Sequence, residues 1–485
     1  MRRLVFSSIL AVGLLGLLAA PALAGARTIV VAPSGGNDSA AIQAAFATAG
    51  PGGTVQLTAG TFTVNSTIYV QRFTGSFKGA GEKLTTIDMT GTGTVGLTAD
   101  KQGSQVEPFP FLIGFGGGSP SVSGMSVDIQ STSPAASWDD WWIGGPADSL
   151  ETVFLVTGGA GAWFDRVAVT AGTGNDGDGY NAQAAVYITG TQQVGEYAFP
   201  DVWPQTGGSD RITRCAFSGD FGVWAWGLSH GALTVGGCAA DQNTFNDLYF
   251  GCWMTDNSNS DVVISHNRLQ ASYGGGVGLQ QGFGAPLTPL VPLPAPRYLV
   301  SGNTMLATGE ANFMWIEDDS QFYSAPDRLS ATVVGNSADM QEDPTGPVVD
   351  AAIDGWFASG IKVLDNRIWG TALVGVDVGT EWDTTYFPTF GTAGGWQIVG
   401  NDFSGLSPVN PYVSGTAPDV WLGDLASHCL VAGGPRSTTV LDQGTSDTLI
   451  DVTPVSDPPA AAAVKALMAP AGARAFKVVK RSGVK

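Results

Sequence analysis

A short apolar pattern with an aromatic residue at its centre recurs along the middle of the chain. It occurs at Val186-Tyr187-Ile188, Val223-Trp224-Ala225, Cys252-Trp253-Met254, Val277-Gly278-Leu279, Met314-Trp315-Ile316 and Val420-Trp421-Leu422. Successive side chains of a β-strand point to opposite faces, so the pattern predicts strands whose flanking residues face a core. The central residues should then form an outward column of aromatic side chains, which is typical of a binding surface.

A second repeated element ends in asparagine and recurs at a nearly constant interval. Its asparagines, which are separated by 36, 33, 30 and 35 residues, are Asn267, Asn303, Asn336, Asn366 and Asn401. Asparagine tolerates a left-handed backbone and its amide bonds to neighbouring groups, so one asparagine at the same turn of every coil is expected to form a ladder. Repetition at this interval without helical periodicity predicts an all-β solenoid.

The N-terminal residues predict a leader followed by a cap. Residues 1–24 have a basic start, an apolar run and a small-x-small cleavage site, which together are typical of a secretory signal peptide. Asp38 and Ser39 are good N-cap residues, and Ala40 to Ala49 predicts a short amphipathic helix. Such a helix would cover the open end of the solenoid.

The remaining chain is expected to form one solenoid domain and a tail. The domain should span residues 25–453, with inserted loops near residues 131–150 and 284–296, where aspartate, tryptophan or proline interrupts the coil pattern. Long loops on a rigid scaffold are a common place for binding sites. Residues 454–485 combine a Pro/Ala linker with a basic end, which indicates a flexible tail or a small terminal cover.

Charge and hydropathy narrow the class of partner. Acidic residues outnumber basic ones by 42 to 22, giving a net charge of −20, which argues against nucleic acid or an anionic membrane as the partner. Beyond the leader, no stretch approaches the roughly 20 apolar residues that a membrane span needs. We therefore expect a secreted protein, extracellular or periplasmic, that could also associate with the cell surface.

The four cysteines are too few for a dense disulfide framework. Cys215 and Cys238 could lie on successive coils and form a disulfide, and a buried free thiol is an equally good interpretation. Their spacing is not that of a metal site.

The chain resembles the pectin-lyase-like right-handed parallel β-helix superfamily. The resemblance lies in residues Asn37 to Val70, in the following Phe77-Lys78-Gly79-Ala80-Gly81 and Thr86-Ile87-Asp88, and in the coils that carry asparagine. It implies an all-β, right-handed parallel β-helix with an N-terminal capping helix. The superfamily includes polysaccharide lyases, polygalacturonase-like hydrolases, epimerases and non-catalytic surface proteins. The implied partner is therefore a polysaccharide or cell-surface glycan, and the activity stays open.

Carboxylates are expected beside the aromatic column. Glu317 shares the outward face of Trp315 by alternation, and the triplet frame places Asp350 and Asp377 in the aromatic position itself. The candidate catalytic residues are Asp256, Glu317, Asp318, Asp350 and Asp377. Carboxylates one coil apart would lie about 5 Å apart and those two coils apart about 10 Å. These separations are compatible with both the retaining and the inverting mechanism of glycosidases. The alternative is that these carboxylates lie in turns and have no catalytic role.

Sugar-binding residues are expected on the same face. The candidates are Tyr187, Trp224, Trp226, Trp253 and Trp315, because sugar rings pack on aromatic faces. These side chains could instead be covered by the two loops and form a secondary core. Arg268 and Arg367 follow asparagine in equivalent frames, so they should share a face and could serve a lyase.

The Asp-rich segment around Asp176 and Asp178 offers hard oxygen ligands that suit Ca²⁺, and a plain Gly/Asp turn is the alternative. No cofactor is otherwise required. The leading hypothesis is a secreted glycoside hydrolase that uses paired carboxylates. A non-catalytic, glycan-binding or adhesive β-helix is the alternative, and a calcium-assisted polysaccharide lyase is the third.

Overall fold

A computed structural model gives the structure of the chain. It describes residues 26–89, 97–101, 105–109, 111–129, 150–158, 161–170, 182–189, 193–194, 197–198, 208–219, 221–228, 231–255, 257, 260–281, 295–318, 329–341, 351–379, 393–408 and 418–455. The predicted signal peptide, most of the two predicted loops and the tail after residue 455 therefore lie outside the described residues.

The described residues consist mainly of short strands. The N-terminal part has β1 (Thr28–Val31), α1 (Ser39–Ala49), β2 (Thr54–Leu57), β3 (Gly60–Val64), β4 (Ile68–Gln71), β5 (Ser76–Lys78), β6 (Thr85–Met89), β7 (Leu97–Lys101), β8 (Gln105–Phe109), β9 (Phe111–Gly116), β10 (Ser121–Asp128), β11 (Leu150–Thr157), β12 (Trp163–Thr170) and β13 (Ala182–Thr189). The middle part has β14 (Gln193–Val194), β15 (Tyr197–Ala198), β16 (Ser209–Thr213), β17 (Ala216–Ser218), β18 (Phe221–Trp226), β19 (Gly231–Gly236), a 3-10 turn (Ala239–Asp241), β20 (Thr244–Thr255), β21 (Ser260–Ser265), β22 (Arg268–Gln281), β23 (Arg297–Ser301), β24 (Thr304–Asp318), β25 (Ser330–Val334) and β26 (Ser337–Gln341). The C-terminal part has β27 (Ile353–Trp356), β28 (Lys362–Leu364), β29 (Arg367–Ala372), β30 (Val376–Val378), β31 (Ala393–Gly394), β32 (Gln397–Val399), β33 (Asp402–Pro408), β34 (Val420–Leu422), β35 (Ala426–Ser427), β36 (Leu430–Ala432), β37 (Thr438–Asp442), β38 (Thr448–Ile450) and β39 (Val452–Pro454).

Strands of successive coils pair in parallel and form three long sheets. The first sheet runs through β16, β19, β21, β23, β25, β28, β32, β36 and β38. The second runs through β17, the first part of β20, β22 and β24, and then β26, β29 and β33. The third runs through β4, β9, β11, β13, β18, the second part of β20, β22 and β24, and then β27, β30, β34, β37 and β39.

This topology confirms the predicted parallel β-helix. Each coil contributes one strand to each sheet in turn, and equivalent strands of neighbouring coils are Cα partners. Connections between parallel strands of one sheet are right-handed in nearly all proteins, so we assign the right hand to this coil. The inward side chains of the three sheets meet in one apolar cluster that extends from Val31 to Val440.

An asparagine ladder joins the first and second sheets, as the sequence predicts. The side-chain amide of each asparagine donates to the Oδ1 atom of the next at 2.9–3.0 Å along the series Asn243, Asn267, Asn303, Asn336, Asn366 and Asn401. The same amide also donates to a backbone carbonyl of the preceding coil, as Asn336 does to Val300 at 3.0 Å. All members are buried. The ladder therefore satisfies the polar groups of one turn from coil to coil.

The residue before each ladder asparagine from Asn267 to Asn401 adopts a left-handed backbone, whereas Gln242, before Asn243, has a φ of −54°. His266, Gly302, Gly335, Asp365 and Gly400 have φ values between 52° and 71°. Gly400 has a second constraint, because a Cβ atom there would lie 2.3 Å from Oδ1 of Asp365. At Gly400 the sequence Gly-Asn therefore serves both the backbone conformation and the close packing of coils, whereas at Gly335, where an added Cβ atom would have no neighbour within 4 Å, it serves the backbone alone.

Helix α1 packs on the first coils. Ile42 and Phe46 are buried, and the ring of Phe46 lies 5.0 Å from Phe73 and 5.1 Å from Phe77 between centroids. The helix predicted from the sequence is thus confirmed, and its closure of the solenoid end stays a prediction. Asp38 does not cap the helix through its side chain; its carboxylate instead accepts the backbone N–H groups of Ser34 and Thr63.

All four cysteines are free, so Cys215 and Cys238 form no disulfide. Cys215 is buried beside the start of the ladder, where its backbone N–H donates to Oδ1 of Asn243 at 2.8 Å. Burial raises the pKa of the Cys215 thiol to about 12, so this thiol stays protonated at neutral pH. Cys238 is exposed.

Within the part of the chain that the structure describes, no helix has the length and apolar character that a membrane crossing requires.

Replacing Asn336 with alanine should destabilise the protein. The change leaves two buried N–H groups of Asn303 without their acceptor and the carbonyl of Val300 without its side-chain donor, whereas Oδ1 of Asn366 keeps the backbone N–H of residue 336. Each buried group left unsatisfied costs about 1–3 kcal/mol. Urea unfolding followed by circular dichroism measures the loss, with Asn65→Ala as control because Asn65 is exposed. Equal stability of the two variants would contradict the role of the ladder.

Candidate functional site

The central residues of the repeated triplet align on the outside of the third sheet. We call this series the outer column. Its members are successive Cα partners: Tyr69, Gly114, Leu155, Tyr187, Trp224, Trp253, Gly278, Trp315, Asp354, Asp377, Trp421 and Leu441. The alignment of the triplets is therefore as predicted. The column changes character along its length, from aromatic residues to carboxylates.

The aromatic part of the outer column is buried, and the predicted exposed platform is wrong. Tyr187, Trp224, Trp226 and Trp253 are each no more than 2% exposed. They form a second apolar cluster, separate from the coil interior, which also includes Phe221 and Phe250. The alternative that these residues form a secondary core is therefore the one that the structure favours.

Ring stacking explains why this outward face is buried. The rings of Trp224 and Trp253 lie 4.8 Å apart between centroids with planes 19° apart, and Phe221 stacks on Trp253 at 4.8 Å and 21°. Trp224 also donates from Nε1 to Oγ1 of Thr255 at 2.8 Å. Because coils rise by about 4.8 Å, aromatic rings at the same position of neighbouring coils contact each other directly.

Gly278 marks the end of this stacked series. A Cβ atom there would lie 2.8 Å from Cδ1 of Trp253 and 3.1 Å from Cε1 of Phe250, so only glycine fits. The ring of Phe250 stacks on Trp315 with centroids 5.7 Å apart and planes 17° apart. Trp315 is only partly buried and forms the border of the aromatic cluster.

Two carboxylates occupy the next two coils of the outer column. Asp354 pairs with Trp315 on one side and Asp377 on the other, and Asp377 pairs in turn with Trp421. Asp354 is 7% exposed and Asp377 is 5% exposed. The placement of Asp377 in the aromatic position is thus as predicted. The order Trp315, Asp354, Asp377, Trp421 defines the carboxylate segment of the column.

Asp354 was missed by the sequence reasoning, which assigned its position to Asp350. Strand β27 pairs Ile353 with Met314 and Asp354 with Trp315, so the predicted register for Asp350 is wrong. Both Val349-Asp350-Ala351 and Ile353-Asp354-Gly355 fit the apolar–acid–small pattern. Trp356 could have distinguished the two triplets. It lies two residues after Asp354, just as Trp226 lies two residues after Trp224.

A second outer column lies two residues further along the same strands. Its members are Thr157, Thr189, Trp226, Thr255, Gln280, Glu317 and Trp356. Glu317 is 9% exposed, and its Oε2 atom accepts a hydrogen bond from Nε2 of Gln280 at 2.8 Å. The shared face of Glu317 and Trp315 is therefore confirmed. Trp356 meets the edge of Trp315 with ring centroids 5.7 Å apart.

Gln280 is another site residue that the sequence reasoning missed. Its side chain is buried next to Glu317, and no donor in the described chain reaches its Oε1 atom. Nε2 of Gln280 donates to Glu317, which leaves the amide oxygen as an acceptor without a donor from the described residues. Its alignment with Thr255 and Glu317 could have been found from the triplet frame.

Asp318 does not lie beside the aromatic column, contrary to the prediction. It follows Glu317 in the strand, so its side chain points to the other face. Asp318 is fully buried, and its Oδ2 atom accepts the backbone N–H of Leu329 at 3.0 Å. The contact joins the end of β24 to Leu329, which directly precedes β25.

Trp421 is held at the far end of the carboxylate segment. Its Nε1 atom donates to Oε1 of Gln443 at 2.9 Å, and its ring packs against Leu373 and Val374. Asp419, two residues earlier, accepts two hydrogen bonds from Thr439 through its Oδ2 atom. Burial raises the pKa of the Asp419 carboxyl above its ordinary value, and the Thr439 donors partly offset this.

The two predicted arginines share a face, but it is not the face of the carboxylates. Arg268, Thr304, Ser337 and Arg367 are successive partners in the second sheet. Both arginines are exposed, and Arg367 lies 5.1 Å from the ring centre of Trp369 and 3.8 Å from Asp402. The shared face is as predicted, and it belongs to the second sheet because each arginine precedes the third-sheet part of its coil.

The remaining predicted residues are Asp256, Asp350, Asp176 and Asp178, and they lie outside the described residues. Among the residues that are described, no group of three or more His, Cys, Asp or Glu side chains is arranged to hold a metal ion. The calcium site stays a prediction.

Comparison with known proteins gives similar folds. No protein-family model and no curated protein matches the chain. The A-module of the mannuronan C-5 epimerase AlgE4 from Azotobacter vinelandii is 15% identical, with a TM-score of 0.40 over 87% of this chain and 95% of that one. The periplasmic alginate epimerase AlgG is 12% identical, with a TM-score of 0.49 over 83% and 84%. The surface protein and adhesin PfbA of Streptococcus pneumoniae is 13% identical, with a TM-score of 0.43 over 87% and 100%. At these identities and TM-scores, none of the three assigns an activity to this chain.

Replacing Trp253 with alanine tests whether the aromatic cluster is a core. Removing a large buried ring should lower the free energy of unfolding by about 3–5 kcal/mol. Trp163→Ala is the control, since Trp163 is 44% exposed and should cost less than about 1 kcal/mol. Chemical denaturation of both variants gives the comparison. A sugar-binding platform would instead show unchanged stability of Trp253→Ala and weaker glycan binding.

Proposed function

We propose that this protein is an exported polysaccharide-active protein, a glycoside hydrolase whose site is the carboxylate segment of the outer column. The observation that supports this proposal is the position of Asp354 and Asp377 on consecutive coils between Trp315 and Trp421. Two carboxyl groups are the pair that most glycosidases use to cleave a glycosidic bond, and flanking aromatic rings suit the binding of sugar rings.

The spacing of the carboxylates favours a retaining mechanism. Neighbouring parallel strands lie about 4.8 Å apart, close to the 5–5.5 Å that separates the two carboxyl groups of retaining glycosidases. Glu317 lies one strand and two residues away from Asp354, a diagonal of about 8 Å that falls in the range of inverting enzymes. The more direct pair, Asp354 and Asp377, is the one that we propose.

The proposed reaction proceeds in two displacements. One carboxyl group donates its proton to the glycosidic oxygen while the other, as carboxylate, attacks the anomeric carbon and forms a glycosyl ester. The first group then takes a proton from water, whose oxygen displaces the ester and restores both carboxyl groups. The low dielectric around two buried carboxyls strengthens their interaction with the charge that develops on the sugar ring.

The flanking tryptophans would bind the rings of the sugar chain. Trp315 and Trp421 are three coils apart, about 14 Å along the solenoid axis. Both indoles are fixed by their neighbours. The rings of Phe250 and Trp356 pack against Trp315. Trp421 is fixed by its hydrogen bond to Gln443. A sugar chain that lies along the axis would contact one ring on each side of the scissile bond.

A non-catalytic glycan-binding β-helix is the second candidate. The observation that favours it is the small exposure of both aspartates together with the burial of the aromatic cluster. In that case the aspartates would be structural, and the partly exposed Trp315, Trp356 and Trp421 would carry binding alone. The lyase alternative has less support, because the exposed arginines lie on the second sheet.

Asp354→Asn and Asp377→Asn test the hydrolase. Each should lower the rate of polysaccharide cleavage by at least about 100-fold, because each change removes an acid or a nucleophile. Asp339→Asn is the matched control, since Asp339 lies on the second sheet, where it contacts Gln341. Release of reducing ends gives the rate, and NMR of the first product gives its anomeric configuration.

Retention of configuration would support the Asp354–Asp377 pair, and inversion would move the assignment to Asp354 and Glu317. Unsaturated products, detected by absorbance, would identify a lyase. A third outcome is that the protein binds polysaccharide but releases neither reducing ends nor unsaturated products. If Asp354→Asn, Asp377→Asn and Asp339→Asn then bind equally well, the hydrolase is contradicted and the glycan-binding alternative is supported.

A further inference from the structure

Three arginines and an exposed tryptophan lie together on the first sheet, whereas the carboxylate segment lies on the third. Trp163 on β12 and Arg211 on β16 are Cα partners in neighbouring coils, and both side chains are exposed. Arg166 and Arg214 occupy equivalent positions of the same two coils, at the turn that leads to the second sheet. We call Trp163, Arg166, Arg211 and Arg214 the arginine patch.

A buried carboxylate holds two of these arginines close together. Oδ1 of Asp165 accepts hydrogen bonds from Nε of Arg214 at 2.7 Å and from Oγ1 of Thr213 at 3.1 Å. Its Oδ2 atom accepts a hydrogen bond from Nε of Arg166 at 3.1 Å. Because Asp165 is buried in the sheet, it positions both guanidinium groups at the surface before any ligand binds.

The arginine patch has N–H donors that the described chain does not use. A guanidinium group carries five such donors in a planar arrangement that matches a carboxylate. Within the described residues, Arg166 donates to Asp165 alone, and Arg211 donates to Oδ2 of Asp241 at 2.9 Å. Since both side chains are exposed, their remaining donors are accessible from solvent.

The contacting charged groups of the patch have an excess of positive charge. The three arginines contact two carboxylates, Asp165 and Asp241, in a protein whose net charge is −20. Asp210 precedes Arg211 in β16 and therefore points to the other face, where it accepts the backbone N–H of Ala162 at 2.7 Å. An anionic group is thus the natural complement of this face.

Trp163 adds a surface on which a sugar ring can pack. Its Nε1 atom donates to Oγ1 of Thr213 at 3.1 Å, which fixes the indole against the next coil. The outward residues paired with it and with Asp165 in the preceding coil are Ser121 and Ser123, whose small side chains leave the ring exposed. An exposed aromatic face beside polar groups suits a sugar, whose rings pack while its hydroxyl groups stay hydrated.

The two arginines at the turn occupy a backbone conformation that favours glycine. Arg166 and Arg214 have φ values of 53° and 54°. The same turn of later coils has Gly302 and Gly335, which adopt φ values of 62° and 63° without the steric cost of a Cβ atom. Residues that keep such a conformation at a local cost are often found at functional sites.

We propose that the arginine patch is a second glycan-binding site, which binds an acidic polysaccharide through the carboxylate groups of its sugars. The unused donors of Arg166 and Arg214 would bind a carboxylate, and a sugar ring would pack on Trp163 beside Arg211. This inference goes beyond the proposed hydrolase and does not depend on it, because the two sites lie on different sheets.

The test compares ligands that differ in charge and variants that differ in position. Hexamers of galacturonic acid and of glucuronic acid are used as free acids and, from the same batches, as full methyl esters; sulfated glucose hexamers complete the set. Isothermal calorimetry at low and high salt measures their binding to the full-length protein. Esterification removes the charge without changing the protein, so a folding defect cannot mimic its effect.

The variants are Trp163→Ala, Arg166→Gln and Arg211→Gln. Arg297→Gln is the matched control, since Arg297 is an exposed first-sheet arginine that bonds to Asp261 at 2.6 and 2.7 Å. It lies three strands from β16 along the sheet. In Arg166→Gln, Asp165 keeps its hydrogen bonds from Arg214 and Thr213, so the fold should be retained.

We expect at least one of the two free-acid hexamers to bind at least about tenfold more tightly than its methyl ester, as is typical of hydrogen bonds to charged groups. High salt should weaken this preference because the interaction is electrostatic. Each of the three patch variants should lower the affinity for that hexamer by about tenfold, and Arg297→Gln should leave it unchanged.

Four outcomes would overturn the inference. The first is that neither free-acid hexamer binds, and the second is that acids and methyl esters bind equally. The third is that the patch variants bind the acids as the unaltered protein does, or that Arg297→Gln loses as much affinity as they do, since the ligand would then bind elsewhere. The fourth is tighter binding of the sulfated hexamers, which would assign the patch to another anion. None of these outcomes bears on cleavage by the carboxylate segment, which the aspartate variants test separately.

Discussion

Parallel pairing that repeats with every coil, at a spacing of about 4.8 Å, is the constraint on which the rest of the structure depends. This spacing suits side chains that can bond to copies of themselves. Amides do so at 2.9–3.0 Å along the asparagine ladder, and indoles do so with centroids 4.8 Å apart in the aromatic cluster. Carboxylates do not, because equal charges one coil apart repel each other. The pair Asp354 and Asp377 is thus a local departure from the self-complementary stacking of its own column.

Much of the fold could be predicted because each coil carries its own markers. The asparagine at the turn and the aromatic residue at the centre of the triplet identify equivalent positions, so the ladder and most of the outer column follow from the sequence. Burial of the column could not be predicted in the same way. It depends on Phe221 and Phe250, which lie outside the triplet and stack on the ring of Trp253. Periodicity gives the face on which a side chain lies, and packing decides whether that face is exposed.

The candidate site was predictable only in part, for a related reason. Asp377 and Glu317 follow from alternation, whereas Asp354 depends on the register of β27, which two similar triplets could satisfy. Pairing of Ile353 with Met314 decides between them, and this is a contact between distant parts of the chain. Gln280 could be aligned from sequence, but its importance lies in the hydrogen bond to Glu317 and in its unused acceptor, which only atomic positions reveal.

The energetic contrast along the third sheet bears on function. Buried carboxyl groups are usually less favourable than apolar side chains of similar size, and the adjoining coils show that aromatic residues fit this column well. Stability alone would therefore favour continued stacking through positions 354 and 377. Within the described column, the carboxylates instead lie between two fixed tryptophans, and Glu317, on the strand of Trp315, contacts Gln280. Groups that are costly to the fold and gathered at one place are more often retained for binding or chemistry than for stability, and this is the argument for locating the function at the carboxylate segment.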